Sequence, residues 1–161
     1  MIILVMGVAG SGKSTIGKLL AQQLNWIFVD ADAFHPPSNL EKMSQGTPLD
    51  ERDRQPWLLA LRTLIDQWIS SECNAVLACS ALKAVHRQML RLENEEIHLV
   101  YLSGSFELIQ TRLRCRQHHF MPAALLQNQF DTLEEPEDAV QIDISNPPAD
   151  IIKQIRGMLG V

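Results

Sequence analysis

The stretch "GVAGSGKS", residues 7–14, follows the apolar run "MIILVM" and precedes a helical pattern. Its spelling is Gly-x-x-x-x-Gly-Lys-Ser, that of a phosphate-binding loop. Glycines let the backbone bend tightly and aim successive N–H groups inward, which makes a nest for phosphate oxygens. The helix that follows adds the positive end of its dipole. Lys13 is placed to reach the β- and γ-phosphates, and Ser14 to hold Mg²⁺. The setting agrees: a strand-like run at 2–6 leads in, and Ile16, Leu19, Leu20 and Leu24 repeat at helical spacing beyond. The plainer alternative is a glycine-rich turn with no ligand; motif and setting together favour the phosphate loop.

Outward from this loop, short apolar runs alternate with helical patterns. Strands are predicted at 2–6, 26–30, 75–79, 97–102 and 139–144. Helices are predicted at 13–24, 54–70, 81–92, 106–117, 122–129 and 148–158, with a short one over 39–45. "SNLE" (38–41) reads as the capping box of that short helix, with Gly46 at its end. The helix over 54–70 carries Trp57, Leu58, Leu61, Leu64, Ile65, Trp68 and Ile69, and Pro56 fits only its first turn. Strands alternating with helices imply an α/β fold: three layers, with a parallel five-stranded sheet covered on both faces. Ligands in such sheets bind beyond the carboxyl ends of the strands.

Bulk properties bound the reading. A chain of 161 residues, 46% hydrophobic and 20% charged, predicts one globular domain over 1–161. The net charge of −5 argues against a general nucleic-acid surface. Cys73, Cys79 and Cys115 are odd in number and show no CxxC spacing, which disfavours a disulfide framework or zinc site and suits a reducing cytoplasm. The apolar start is too short for a membrane span and lacks the basic opening of a signal peptide.

The strand ends carry the chemistry. "VDADAFH" (29–35) places Asp30 and Asp32 two apart, on one face if the strand persists. Phosphoryl transfer to a hydroxyl needs a carboxylate to orient it and take its proton, and Mg²⁺ needs oxygen ligands or water-holding acids. Asp32 is assigned to the hydroxyl and Asp30 to the metal's water shell; the alternative is that both cap the next turn. His35 reads equally as a substrate contact or a simple turn histidine. The third strand ends without an acid, so Asp30 is the better metal candidate. In "CSALK" (79–83), Lys83 is a candidate anion ligand and Cys79 a buried thiol. "RLRCRQHHFMP" (112–122) is the most basic stretch. Its Arg112 and Arg116 share a helical face and could close over nucleotide phosphates; a solvated helix end is the bland reading.

Together "MGVAGSGKS", "DADAFHP", "NLEKMSQGTPLDERDRQPWL", "CSALK" with Arg87 four residues on, "YLSG", "RLRCRQHHFMP" and "LLQNQFDTLEEP" resemble the gluconokinase family of P-loop kinases over nearly the whole chain. The resemblance implies ATP-dependent phosphorylation of D-gluconate at its 6-hydroxyl, giving 6-phospho-D-gluconate and ADP. It also implies Mg²⁺, a mobile lid over about 112–135 and a homodimer. Nucleotide contacts then fall on Gly7, Val8, Ala9, Gly10, Ser11, Gly12, Lys13, Ser14 and Thr15, with Arg112 and Arg116. Catalysis falls on Lys13, Asp32 and Arg116, and metal binding on Ser14 and, through water, Asp30. Asp32, His35, Arg54, Lys83, Arg87, His119 and Gln129 are the implied substrate contacts. Ala31, Ala84, Asn128 and Arg52 depart from the family's usual residues, and none removes a group the reaction needs. A shikimate-kinase-like enzyme, similar in the loop and the paired aspartates, and a non-enzymatic nucleotide switch are the alternatives.

Overall fold

Strand β1 (Ile2–Met6) lies at the centre of the molecule, every residue fully buried. The computed structural model describes residues 1–90, 94–115 and 123–161. In chain order come α1 (Lys13–Leu24), β2 (Ile27–Asp30), a 3₁₀ turn (Ala31–Phe34), α2 (Pro37–Ser44), α3 (Glu51–Ser70) and β3 (Ala75–Ala78). Then follow α4 (Ala84–Met89), β4 (Ile97–Ser103), α5 (Phe106–Arg114), α6 (Ala123–Thr132), β5 (Val140–Asp143) and α7 (Pro148–Leu159).

The sheet is parallel throughout, in the order β2-β3-β1-β4-β5. Alternation along β1 sorts its side chains to two faces. Ile3 and Val5 join Ile16 and Leu20 of α1 and Ile151, Ile152 and Ile155 of α7. Ile2, Leu4 and Met6 join Trp57, Leu58, Leu61 and Ile65 of α3. A sheet buried on both faces explains why its strands read as unbroken apolar runs. Each fully buried Leu or Ile contributes about 1.5–3 kcal/mol, so both layers are anchored firmly to the central strand.

Three local readings are corrected. The capping box is not at Ser38: α2 starts at Pro37 with no side-chain cap. It lies at Asp50, whose carboxylate accepts from Asp53 N at 2.8 Å while the Asp53 carboxylate accepts from Asp50 N at 3.0 Å. This box starts α3 at Glu51, earlier than the predicted 54, and leaves Pro56 inside the helix rather than in its first turn. The Pro56 nitrogen has no hydrogen to give the preceding turn, a local loss that the capping box and the buried stripe outweigh. Helix α4 is also shorter than predicted, because 79–83 runs as a loop with Ala81 at φ +40°.

Candidate active site

The phosphate loop leaves the carboxyl end of β1 and feeds α1 through Gly12, which has φ +99°. Gly7 cannot be replaced without strain: a Cβ there would lie 2.6 Å from Ser11 Oγ and 2.9 Å from the Leu102 carbonyl oxygen. Ser11 is 1% exposed, and its Oγ is the buried side-chain oxygen left without a partner among the described residues. An orphan hydroxyl in an amide-lined cup fits a polar ligand, since buried polar groups are otherwise paired. Lys13 Nζ donates to the Val8 carbonyl at 3.1 Å, so the ammonium bends back across the loop. Ala9 N donates to Gln129 Oε1 at 2.6 Å, which ties α6 to the loop. Ser14 and Thr15 are exposed at the start of α1.

Beside the loop, Ser14 Oγ donates to Asp30 Oδ2 at 2.5 Å. Asp30 ends β2, and its other oxygen accepts from Asp32 N at 3.0 Å. The expectation that the two aspartates share a strand face is therefore corrected. The strand stops at Asp30, and Asp32 rides on the 3₁₀ turn that Asp30 caps. Capping and the bond to Ser14 use different oxygens of one carboxylate, so Asp30 caps the turn and still faces the phosphate loop. The Asp32 side chain is 79% exposed. The Cys79 thiol is fully buried and raised to about 12, chiefly by burial, and it feels the charges of Lys13, Asp32 and Asp30. That thiol is inert. Its surroundings show that the phosphate loop and both aspartates converge beyond β1, β2 and β3.

A second cluster lies alongside. Glu51, the first residue of α3, accepts from Lys83 Nζ at 2.6 Å and lies 2.9 Å from His86 Nε2 and 3.5 Å from an Arg54 nitrogen. The hydrogen bonds from Lys83 and His86 hold its carboxyl down at about 2. Two of the predicted sugar-acid ligands, Arg54 and Lys83, are thus gathered around one carboxylate. Arg87 is turned elsewhere: its guanidinium donates to the Ala81 and Leu82 carbonyls at 3.0 and 3.1 Å, bracing the loop that bears Lys83. On the far side, Arg112 donates to the Ile144 carbonyl at 2.5 Å, linking α5 to the loop after β5. Arg116 and His119 lie outside the described residues.

The long run 39–58 proves to be the scaffold of the aspartate turn. Trp57 Nε1 donates to the Ala31 carbonyl at 2.7 Å in the buried core. The His35 ring stacks on Trp57, centroids 4.4 Å apart and 13° from parallel. Asn39 Nδ2 donates to the Asp53 carbonyl at 2.8 Å, and Lys42 Nζ donates to both Asp53 carboxylate oxygens at 2.8 Å. Sequence reasoning assigned no role to Glu51, His86, Asn39 or Asp53, and read Trp57 only as core. For all of these but His86, the one visible signal was the density of polar residues in that run.

A phosphate loop at the end of the central strand of a 2-3-1-4-5 parallel sheet, with an exposed carboxylate beyond the edge strand β2, defines a P-loop kinase of small molecules. The family model for shikimate kinase matches residues 9–143. A shikimate kinase structure from Aquifex aeolicus, 22% identical with a TM-score of 0.64 over 99% of this chain and 96% of that one, shares the fold. Higher identity lies elsewhere. The thermosensitive gluconokinase of Escherichia coli is 41% identical over 157 residues, 95% of this chain and 84% of its own length. A gluconokinase structure from Sinorhizobium meliloti is 40% identical with a TM-score of 0.87, covering 98% of this chain and 90% of that one. The chain belongs to the gluconokinase family.

Proposed function

We propose that this protein transfers the γ-phosphoryl group of ATP to the 6-hydroxyl of D-gluconate, giving 6-phospho-D-gluconate and ADP. The observation that carries this reading is the pairing of an exposed Asp32 beside the phosphate loop with cations already gathered around a carboxylate. Gluconate has the matching groups, a carboxylate at one end and a reactive hydroxyl at the other.

The loop amides from Gly7 to Thr15 cradle the phosphates, and Lys13 exchanges the Val8 carbonyl for the β- and γ-oxygens. Among the described residues no cluster of three metal-binding side chains exists. A lone hydroxyl beside one carboxylate suits Mg²⁺, which keeps its waters and takes most remaining ligands from phosphate. Bound with the nucleotide, Mg²⁺ supplies charge neutralisation at the phosphates, held by Ser14 and, through water, by Asp30. Asp32 orients the acceptor hydroxyl for in-line attack and takes its proton. Arg54 and Lys83 turn from Glu51 to the sugar acid, aided by Arg87, with His119 and Gln129 as further contacts. Arg112 and Arg116 stabilise charge on the nucleotide, and closure of a lid over about 112–135 keeps water from acting as acceptor. The chain acts as one domain, in the cytoplasm, as a homodimer, with no nucleic-acid or membrane partner.

The test is ADP release from Mg²⁺ and ATP with gluconate, with shikimate and with neither acid. Release that needs gluconate supports the proposal. Equal release in all three overturns it in favour of a nucleotide switch, and release with shikimate alone reassigns the acceptor.

A further inference from the structure

His35 sits next to the proposed acceptor site, yet its environment is that of a fixed internal group. Its side chain is 5% exposed, against 79% for Asp32. The ring is clamped on one face by Trp57 and met at its edge by Asn39, itself 1% exposed. Asn39 settles where the ring proton lies. The Asp53 carbonyl can only accept, so the Asn39 group that meets it at 2.8 Å is the NH₂. The same nitrogen lies 3.3 Å from His35 Nδ1. An amide NH₂ offers hydrogens and no lone pair, so Nδ1 is the acceptor and the proton sits on Nε2. Nε2 faces Asp32, with Oδ1 3.9 Å away.

That distance is beyond a hydrogen bond. The Asp32 side chain, however, is 79% exposed, so a small rotation brings its oxygen into reach. Burial lowers the His35 pKa against the opposing pull of Asp32, and Arg54 lowers it further, which keeps the imidazole neutral at physiological pH. A neutral ring with a fixed N–H donates to one carboxylate oxygen without removing the charge that the other needs as a base.

We propose that His35 is a positioning residue for phosphoryl transfer: its Nε2–H, aimed by Trp57 and Asn39, turns the Asp32 carboxylate toward the acceptor hydroxyl. This rests on the reading of Asp32 as the group that takes the hydroxyl proton. It gives His35 a role through Asp32 rather than through substrate. It also gives the polar run 39–58 a reason to converge on this turn, since Asn39, Asp53 and Trp57 together fix the ring.

Two substitutions separate this from a packing role. His35→Phe keeps a ring on Trp57 and leaves Asn39 its bond to Asp53, while removing the donor. His35→Gln loses the ring but keeps an N–H near the Nε2 position. In steady-state assays with ATP and gluconate, His35→Phe lowers kcat about tenfold, the effect of one lost orienting hydrogen bond, with KM for both substrates nearly unchanged. His35→Gln recovers most of that loss. An unchanged kcat in His35→Phe overturns the proposal, and so do equal losses in both variants. Nitrogen-15 imidazole spectra of the unaltered protein give a check that needs no variant to fold: the Nε2–H tautomer is expected near neutral pH, and the Nδ1–H tautomer or an imidazolium overturns the proposal. Asp32→Asn distinguishes the two levels. If it retains full kcat, the role of Asp32 falls; if it is inactive while His35→Phe is unaffected, only the role of His35 falls.

Discussion

Trp57→Phe probes the joint between the buried core and the aspartate turn. The indole is 3% exposed, and its Nε1–H is the donor to the Ala31 carbonyl, inside a residue that is fully buried. Phenylalanine preserves an aromatic ring for His35 to stack on but strands that carbonyl. An orphaned buried acceptor costs about 1–3 kcal/mol. The smaller ring removes packing worth about 1–2 kcal/mol more. The sum, about 2–5 kcal/mol, lowers Tm by roughly 4–20 °C in a domain of this size. Trp68→Phe is the matched control. Trp68 is 6% exposed in the same core cluster, and its indole donates no hydrogen bond among the described residues, so its loss is packing alone. Thermal unfolding by circular dichroism measures both variants, and steady-state kinetics follows the turn. Because Asp32 is the residue after Ala31, kcat falls in Trp57→Phe and not in Trp68→Phe, at temperatures where both are folded. If the two variants lose the same Tm and neither loses kcat, the hydrogen bond carries nothing and the reasoning fails.

Asp32→Asn lowers kcat by about two to four orders of magnitude, the range for losing a general base, while calorimetry still detects ATP binding; a near-normal kcat would remove Asp32 from the chemistry. Lys83→Ala raises KM for gluconate about tenfold or more, as expected for a lost charge-assisted hydrogen bond, and leaves KM for ATP unchanged; an unaltered KM for gluconate takes Lys83 out of the substrate site. Glu51→Gln changes the acid limb of stability. With its folded-state pKa held at about 2 against an ordinary 4.5, Glu51 contributes fully above about pH 4.5 and loses that contribution as pH falls toward 2. The side chain is 53% exposed, so solvent screening leaves roughly 1 kcal/mol of what a shielded pair would supply. Urea titrations from pH 5 to pH 2.5 should show a shallower fall in Glu51→Gln than in the parent, and parallel curves would refute the coupling.

Much of the fold was legible because its signals are local. "GVAGSGKS" after an apolar run specifies a strand, a phosphate cup and a helix within a single short segment. The alternation of apolar runs and helical stripes predicted five parallel strands, and all five formed close to their expected bounds. Local spelling was also where the reading slipped. Ser38-x-x-Glu41 and Asp50-x-x-Asp53 both look like capping boxes, and only the second closes. Pro36-Pro37 already presets the start of α2, so Ser38 falls inside the helix instead of before it. The sequence also could not tell that β2 stops at Asp30, because the stop depends on that side chain capping its own successor.

Residue order alone determined the phosphate cup, the layered parallel sheet and the list of charged groups at the strand ends, since these depend on dihedral preference and periodicity within a few residues. Tertiary packing alone decided which of those groups meet. Glu51 finds Lys83 and His86 across separations of 32 and 35, Trp57 finds Ala31 across 26, and Gln129 finds Ala9 across 120. No periodic pattern encodes such pairs. The pairs of Glu51 and Trp57 arise because α3 must bury its apolar stripe against β1 and β3, and that burial carries its polar first turns to the carboxyl ends of the strands.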